Sequence, residues 1–339
     1  VIDGPVLAIE TSCDESAAAV VEGRTVRSSV IASQADLHAP YGGVVPEVAA
    51  RHHLGTVNAV VDRALAEAGL GLGDLAAVAV TRRPGLIGAL LVGLSTARAI
   101  AYARRLPIVL VDHLHGHVSA VWLAPLALDP PWVSLVASGG HTRLDLVRDL
   151  HTPEPLGQTI DDAAGEALDK GARLLGLPYP GGPALERLAG GGRRDAHRFP
   201  VALGGRGTRD FSFAGVKTSL LYAVRERGPL DEGARADLAA SYQEAIVRPL
   251  AERLVDAARE HGVPAVAIGG GVAANGRLRE LVSEAATGAG LRVAIPDRAL
   301  CTDNAAMIGA AAQFTPPVAW PDYLAMDAIP TAPPGGVAA

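Results

Sequence analysis

The residues best suited to chemistry lie in the run Asp112-His113-Leu114-His115-Gly116-His117. On a helix, His113 and His117 stand at i and i+4 on one face, where two imidazole nitrogens can bind one metal ion. His115 then points elsewhere. The alternative is a polar strand-to-helix junction whose histidines cap the turn. Leu114 follows His113, so the glutamate that serves as general base in an HExxH zinc peptidase is missing. A third donor is available in Cys301-Thr302-Asp303-Asn304. Asp303 follows an expected strand and begins an expected helix, where a carboxylate either caps free amides or joins a ligand set.

Glycine-rich turns offer a second kind of chemistry. Ser138-Gly139-Gly140-His141-Thr142 joins two expected strands, and Gly269-Gly270-Gly271-Val272-Ala273-Ala274-Asn275 runs from strand to helix. Both can aim backbone N–H groups at a phosphate or an oxyanion, although plain tight turns use the same residues. Tyr179-Pro180-Gly181-Gly182-Pro183 reads either way. Asp161 opens an acidic helix on which Asp162, Glu166 and Asp169 share one face. That face is either solvated, with Glu166 and Lys170 as an i,i+4 pair, or a carboxylate grip for ribose hydroxyls or a ligand amine. Arg193, Arg194, Arg198, Arg206 and Arg209 concentrate positive charge, for solubility or for a local nucleic-acid contact.

These groups need elements to hold them. Val6–Glu10, Ala17–Val21 and Val26–Ala32 read as a three-stranded meander. Glu47–Ala68 is helical, Ala76–Val80 a buried strand, Leu86–Ala103 a helix and Pro107–Val111 a strand. The second half repeats the plan: strands Trp132–Ala137 and Thr142–Val147, then helix Ala236–His261 and strand Val263–Ile268. Helix Ala273–Ala286, strand Leu291–Ile295 and helix Asp303–Phe314 close it. Strand–helix–strand alternation predicts parallel pairing, and the repetition predicts a duplicated α/β fold with a cleft between its halves. The expected domains are 1–130 and 131–314, the second with a Gly- and Arg-rich insertion at about 178–233. Residues 315–339 form a proline-rich tail, expected to be extended or loosely packed.

Composition narrows the class. Of 339 residues 49% are hydrophobic but only 4% aromatic, which supplies a core and excludes disorder as the main state. Lys and Arg number 30 against 36 Asp and Glu, a net charge of −6. Such a chain does not hold nucleic acid by global charge. Cys13 and Cys301 show no CxxC spacing, which suits a reducing, cytoplasmic setting. The longest apolar stretch, Leu86–Ala103, contains Ser95, Thr96 and Arg98 and reads as a buried helix, so no membrane association is expected.

Taken in order, these motifs resemble the tRNA N6-adenosine threonylcarbamoyltransferase family, once labelled sialoglycoprotein endopeptidases. The resemblance rests on Glu10-Thr11-Ser12-Cys13-Asp14-Glu15, on His38 to Glu47, on His113 to His117 and on Ser138 to Thr142. It continues through Asp161 to Lys170, Tyr179 to Pro183, Asp210 to Thr218, Gly269 to Asn275 and Cys301 to Ala305. It implies a two-domain fold of the actin/hexokinase/Hsp70 (ASKHA) type with a central cleft. It implies one divalent metal ion, Fe2+ or Zn2+, on His113, His117 and Asp303. It implies threonylcarbamoyl-AMP against Val136, Ala137, Ser138, Gly139 and Gly140, with Asp169, Gly182, Asn275 and Glu186 around the adenylate. The implied activity transfers the threonylcarbamoyl group to N6 of the adenosine beside the anticodon, in tRNAs reading codons that begin with A, and releases AMP. Implied partners are tRNA and, in bacteria, a shorter paralogue of the same fold and a small ATPase. Two positions depart from the family pattern: Arg83-Pro84-Gly85-Leu86 stands where Gly-Pro-Gly-Leu is usual, and Ala50 where Ser is usual. A phosphotransferase of the same superfold leaves the histidine pair without a task, and a noncatalytic scaffold paralogue is expected to lack it.

Overall fold

The apolar run Val6-Leu7-Ala8-Ile9 has no polar face, and in the structure, a computed structural model, it is buried on both sides at the middle of a sheet. The structure describes residues 2–203 and 208–330. In chain order the strands are β1 (Val6–Glu10), β2 (Glu15–Glu22), β3 (Thr25–Ser33), β4 (Ala77–Arg83) and β5 (Ile108–Asp112), then β6 (Trp132–Ala137), β7 (Thr142–Val147), β8 (Glu154–Gln158), β9 (Ala265–Gly269) and β10 (Arg292–Ala294). The first helices are α1 (Ala35–His38), α2 (Pro46–Ala68), α3 (Ile87–Arg104) and α4 (His113–Ser119). They are followed by α5 (Ala164–Leu174), α6 (Gly181–Ala189), α7 (Ala214–Arg227), α8 (Glu232–Glu260), α9 (Gly276–Gly288), α10 (Arg298–Cys301) and α11 (Ala305–Ala312). No described helix is long and apolar enough to cross a membrane.

The described residues form two compact units: 2–129, 149–152 and 303–330 make the first, and 130–148 and 153–302 the second. In the first, the strand order is β3-β2-β1-β4-β5. The meander β1-β2-β3 is antiparallel, and β4 and β5 continue in parallel with β1. Side chains alternate across a strand. Leu7 and Ile9 therefore share a core with Val57, Val60 and Val61 of α2 and Leu90 and Leu94 of α3. Ala8 faces the other way, toward α11. Gly309 lets that helix in: a Cβ there would lie 2.5 Å from Val21 Cγ2.

The second unit has the order β10-β9-β6-β7-β8. It is the same arrangement, with β6-β7-β8 antiparallel and β9 and β10 parallel to β6. The duplication expected from the sequence is thus present in each sheet. The hairpin expectation missed β8, because Glu154-Pro155-Leu156-Gly157-Gln158 lacks apolar alternation; as an edge strand it tolerates its proline.

Three boundaries differ from expectation. Residues 303–314, expected in the second domain, belong to the first unit, because α11 buries its whole length there. The 178–233 segment is not peripheral: Leu185, Phe211, Phe213, Val216 and Leu220 join the core of the second unit with Tyr242. The tail is packed as far as residue 330: Val318 bridges Ile108, Tyr323 is fully buried, and Ile329 N donates to Arg82 O at 3.0 Å. Pro333 and Pro334 of the tail, like Arg206, lie outside the described residues.

Candidate active site

β5 ends at Asp112, whose Oδ1 accepts from Leu114 N at 2.9 Å and His115 N at 3.4 Å. Asp112 is therefore the N-cap of α4, and the histidines are freed from that duty. His115 Nε2 turns away to Leu150 O at 2.7 Å, as the helical spacing predicts. His113 and His117 share the opposite face with rings at 82°. Gly116 allows α4 to lie against α11, since a Cβ would be 2.9 Å from Ile308 Cδ1. Asn304, not Asp303, caps α11, with Oδ1 accepting from Met307 N at 3.0 Å. The capping alternative for Asp303 is thereby overturned, and its carboxylate is left to meet the imidazoles.

Asp303 Oδ1 lies 3.4 Å from His113 Nε2 and 3.3 Å from His117 Nε2. The three donor atoms lie within 4.8 Å of one another. His113 Nδ1 is 3.0 Å from Glu10 Oε2 and 3.2 Å from Ser12 Oγ. Glu10 is fully buried and also accepts from Ser12 N and from Thr81 Oγ1, each at 2.5 Å. The carboxylate assigns a proton to Nδ1 and leaves Nε2 as the inward atom, the arrangement that orients a metal-ligating histidine.

Charge follows geometry. Burial works against ionised Asp303, but His113 and His117 outweigh it and hold the carboxyl far below the usual range. For His113 too, burial favours the neutral ring, yet Asp303 and Glu10 outweigh it and raise it well above an ordinary imidazole. Burial raises Glu10, but the charge and hydrogen bond of His113 leave it lowered. His117 is lowered, chiefly by burial, and stays neutral. Both its ring nitrogens are buried without a hydrogen-bond partner among the described residues, even though Nε2 is near Asp303. An orphaned neutral nitrogen beside a second imidazole and a carboxylate fits a divalent cation: two nitrogens and one oxygen leave a coordination position open. Burial pushes the Cys13 thiol well up, so it is no thiolate nucleophile.

The other residues named from the sequence lie in the second unit. Val136 and Ala137 are fully buried within β6 and can offer a ligand only backbone. Beyond them, Ser138 N donates to His141 O at 2.7 Å, while Gly139 and Gly140 are exposed. α5 starts against this turn, with Gly165 N donating to Ser138 O at 3.1 Å. One turn later Asp169 Oδ1 accepts from Gly182 N at 2.8 Å. One turn along α6, Glu186 Oε1 accepts from Gly276 N at 2.8 Å. Asn275 caps α9 through Leu278 N and donates Nδ2 to Gln243 Oε1 at 2.9 Å. Ser138, Gly139, Asp169, Gly182, Glu186 and Asn275 are therefore linked in one chain of contacts within that unit.

Not every candidate joins it. Asp161 holds the start of α7, accepting from Phe213 N at 2.7 Å and Ser212 Oγ at 2.5 Å. Asp162 bridges Lys170 at 3.0 Å and Lys217 at 2.5 Å. Arg193 pairs with Asp237, Arg194 with Glu280 and Arg209 with Glu260, while Arg198 is exposed. Sequence reasoning missed Thr81, Gln243 and the role of Glu10. Glu10 lies in the Glu10–Glu15 motif, but strand and helix spacing carries no signal for Thr81 or Gln243.

The duplicated sheets define an α/β protein of the actin/hexokinase/Hsp70 type, and the His113-His117-Asp303 cluster gives it a candidate metal centre. The fold matches that of full-length HypF, with a TM-score of 0.63 at 13% identity over 92% of this chain and 55% of that one. It also matches component A of the (R)-2-hydroxyglutaryl-CoA dehydratase of Acidaminococcus fermentans, with a TM-score of 0.52 at 15% identity over 91% and 96%. The family model described as tRNA N6-adenosine threonylcarbamoyltransferase (TsaD) matches residues 25–310. Proteins of that name from Cyanothece sp. and Anaeromyxobacter dehalogenans are 52% and 54% identical to the chain. The first covers 91% of this chain and 90% of its own, the second 90% and 92%. The chain belongs to the tRNA N6-adenosine threonylcarbamoyltransferase family.

Proposed function

We propose that this protein transfers a threonylcarbamoyl group from threonylcarbamoyl-AMP to N6 of the adenosine beside the anticodon, in tRNAs reading codons that begin with A. The observation that carries the reading is the convergence of His113, His117 and Asp303 on one point in a chain of this family. The exocyclic amine attacks the carbonyl of the mixed anhydride. A C–N bond forms, the C–O bond to phosphate breaks, AMP leaves, and the amine gives up one proton. The leaving group is good, so no protein nucleophile is required. Catalysis then rests on stabilising oxyanion charge and placing the amine.

His113, His117 and Asp303 would hold the metal, Fe2+ or Zn2+, which supplies Lewis-acid polarisation or an anchor for the threonyl part. Glu10 keeps His113 in the right tautomer. In the second unit the backbone of Val136 to Gly140 receives the phosphate or the oxyanion. Asp169, Gly182, Glu186 and Asn275 surround the adenylate. The target base is unstacked to react. With a net charge of −6 and three of the five segment arginines already paired, tRNA binding draws on partners. Those of the reading are a shorter paralogue of the fold and a small ATPase, in the cytoplasm.

Purified protein is incubated with threonylcarbamoyl-AMP and unmodified tRNA, with and without these partners, and the digested nucleosides are read by mass spectrometry. Threonylcarbamoyladenosine is expected, and it disappears in His113→Ala and His117→Ala. Its absence under every combination refutes the reading.

A further inference from the structure

β4 reaches the triad by two routes. Thr81 donates to Glu10 Oε2, the oxygen nearest His113 Nδ1. Two residues on, Arg83 Nε donates to Asp112 Oδ2 at 3.1 Å. The other oxygen of that carboxylate caps α4. One side chain thus ties the end of a strand to the start of the helix that carries both histidines. Arg83 and Asp112 side chains are only 12% and 26% exposed, which sets the pair apart from solvent-screened surface pairs of little worth.

The backbone that presents Arg83 is itself held. Arg83 pairs with Asp112 across the β4–β5 ladder, just after a register shift at Thr81. On either side, Arg82 O accepts from Ile329 N, and Gly85 N donates to Pro330 O at 3.1 Å. The guanidinium therefore meets Asp112 from an anchored position. α4 has seven residues, about two turns, so a tilt at its first turn moves His113 and His117 together. Metal–ligand distances fall within ~0.2 Å of their standard values, so the aim of both imidazoles matters.

We propose that Arg83 is a positioning residue for the metal centre: through Asp112 it fixes the direction of α4 and hence the shared aim of the two imidazoles. The inference rests on the metal reading of the triad, and the test separates the two. The metal-stripped full chain is titrated with Zn2+ against a competing chelator, and with Co2+ followed by its visible absorption. Wild-type protein that binds neither ion overturns the metal reading and this inference with it. If wild type binds, Arg83→Ala is expected to bind Zn2+ about 10–100-fold more weakly with altered Co2+ bands, and Arg83→Lys to recover much of the loss. Asp112→Asn keeps a capping oxygen but loses the ion pair. It should reproduce the defect, and the double variant Arg83→Ala/Asp112→Asn should be no worse than either single one. Thermal unfolding of each metal-free variant shows that it is folded. Folded Arg83→Ala with wild-type Zn2+ affinity and Co2+ spectrum, or additive losses in the double variant, overturns the inference alone.

Discussion

Glu10→Gln keeps the volume of a fully buried side chain but removes one negative charge and one acceptor beside His113. Glu10 accepts from Ser12 N at one oxygen, and faces Thr81 Oγ1 and His113 Nδ1 at the other. A glutamine keeps only one acceptor. Ser12 N can only donate, so the amide nitrogen is driven to the side of His113. Nδ1 must then accept, so once the ring gives up its charge the proton it keeps is on Nε2, facing Asp303 Oδ1 at 3.4 Å. That atom is no longer free for a cation. A hydrogen bond to a charged group contributes about 1.5–3 kcal/mol, roughly 10–100-fold in affinity at about 1.4 kcal/mol per tenfold. Chelator competition with Zn2+ at neutral pH reads it, with thermal unfolding of the metal-free protein to show that the variant is folded. A folded Glu10→Gln protein with wild-type Zn2+ affinity would refute the tautomer argument.

Further outcomes follow from the packing. Asn304→Ala removes the cap on Met307 N and should lower stability by about 0.5–2 kcal/mol, read by urea unfolding; an unchanged midpoint contradicts the capping assignment. Gly309→Val places a side chain where even a Cβ would lie 2.5 Å from Val21 Cγ2. It should cost about 1–3 kcal/mol in the same assay. Burial raises Glu244, but Arg277 and Arg248 outweigh it and hold its carboxyl below its ordinary 4.5. Its stabilisation is therefore full above about pH 4.5 and is lost as pH falls through the lowered folded value. Glu244→Gln should be less stable than wild type at pH 7, with the gap closing in acid; a gap independent of pH contradicts the ion pair.

Much of this architecture was legible because it is written in periodicity. The apolar strands Val6–Glu10 and Trp132–Ala137 and the repeated hairpin-then-βα plan announced two equivalent sheets. The i,i+4 spacing of His113 and His117 announced their common face. Asp303 could not be settled from spacing, because a cap and a ligand have the same address in the chain. Only the side chain of Asn304 on Met307 N decides between them. Pro155 and Gly157 hid an edge strand. The glycine- and arginine-rich composition of 178–233 obscured Leu185, Phe211 and Leu220, whose burial makes that segment core. Thr81 and Gln243 act across long sequence separations, where no local pattern reports a partner. Arg83 likewise meets its partner Asp112 across 29 residues of sequence.

The reading of the site stands on His113, His117 and Asp303 holding one metal ion. Crystals of the full chain soaked in Zn2+ and measured at the zinc absorption edge test it most directly. One strong anomalous peak is expected about 2.0–2.2 Å from His113 Nε2, His117 Nε2 and an Asp303 oxygen. Zinc bound elsewhere, with no peak between these side chains, contradicts it.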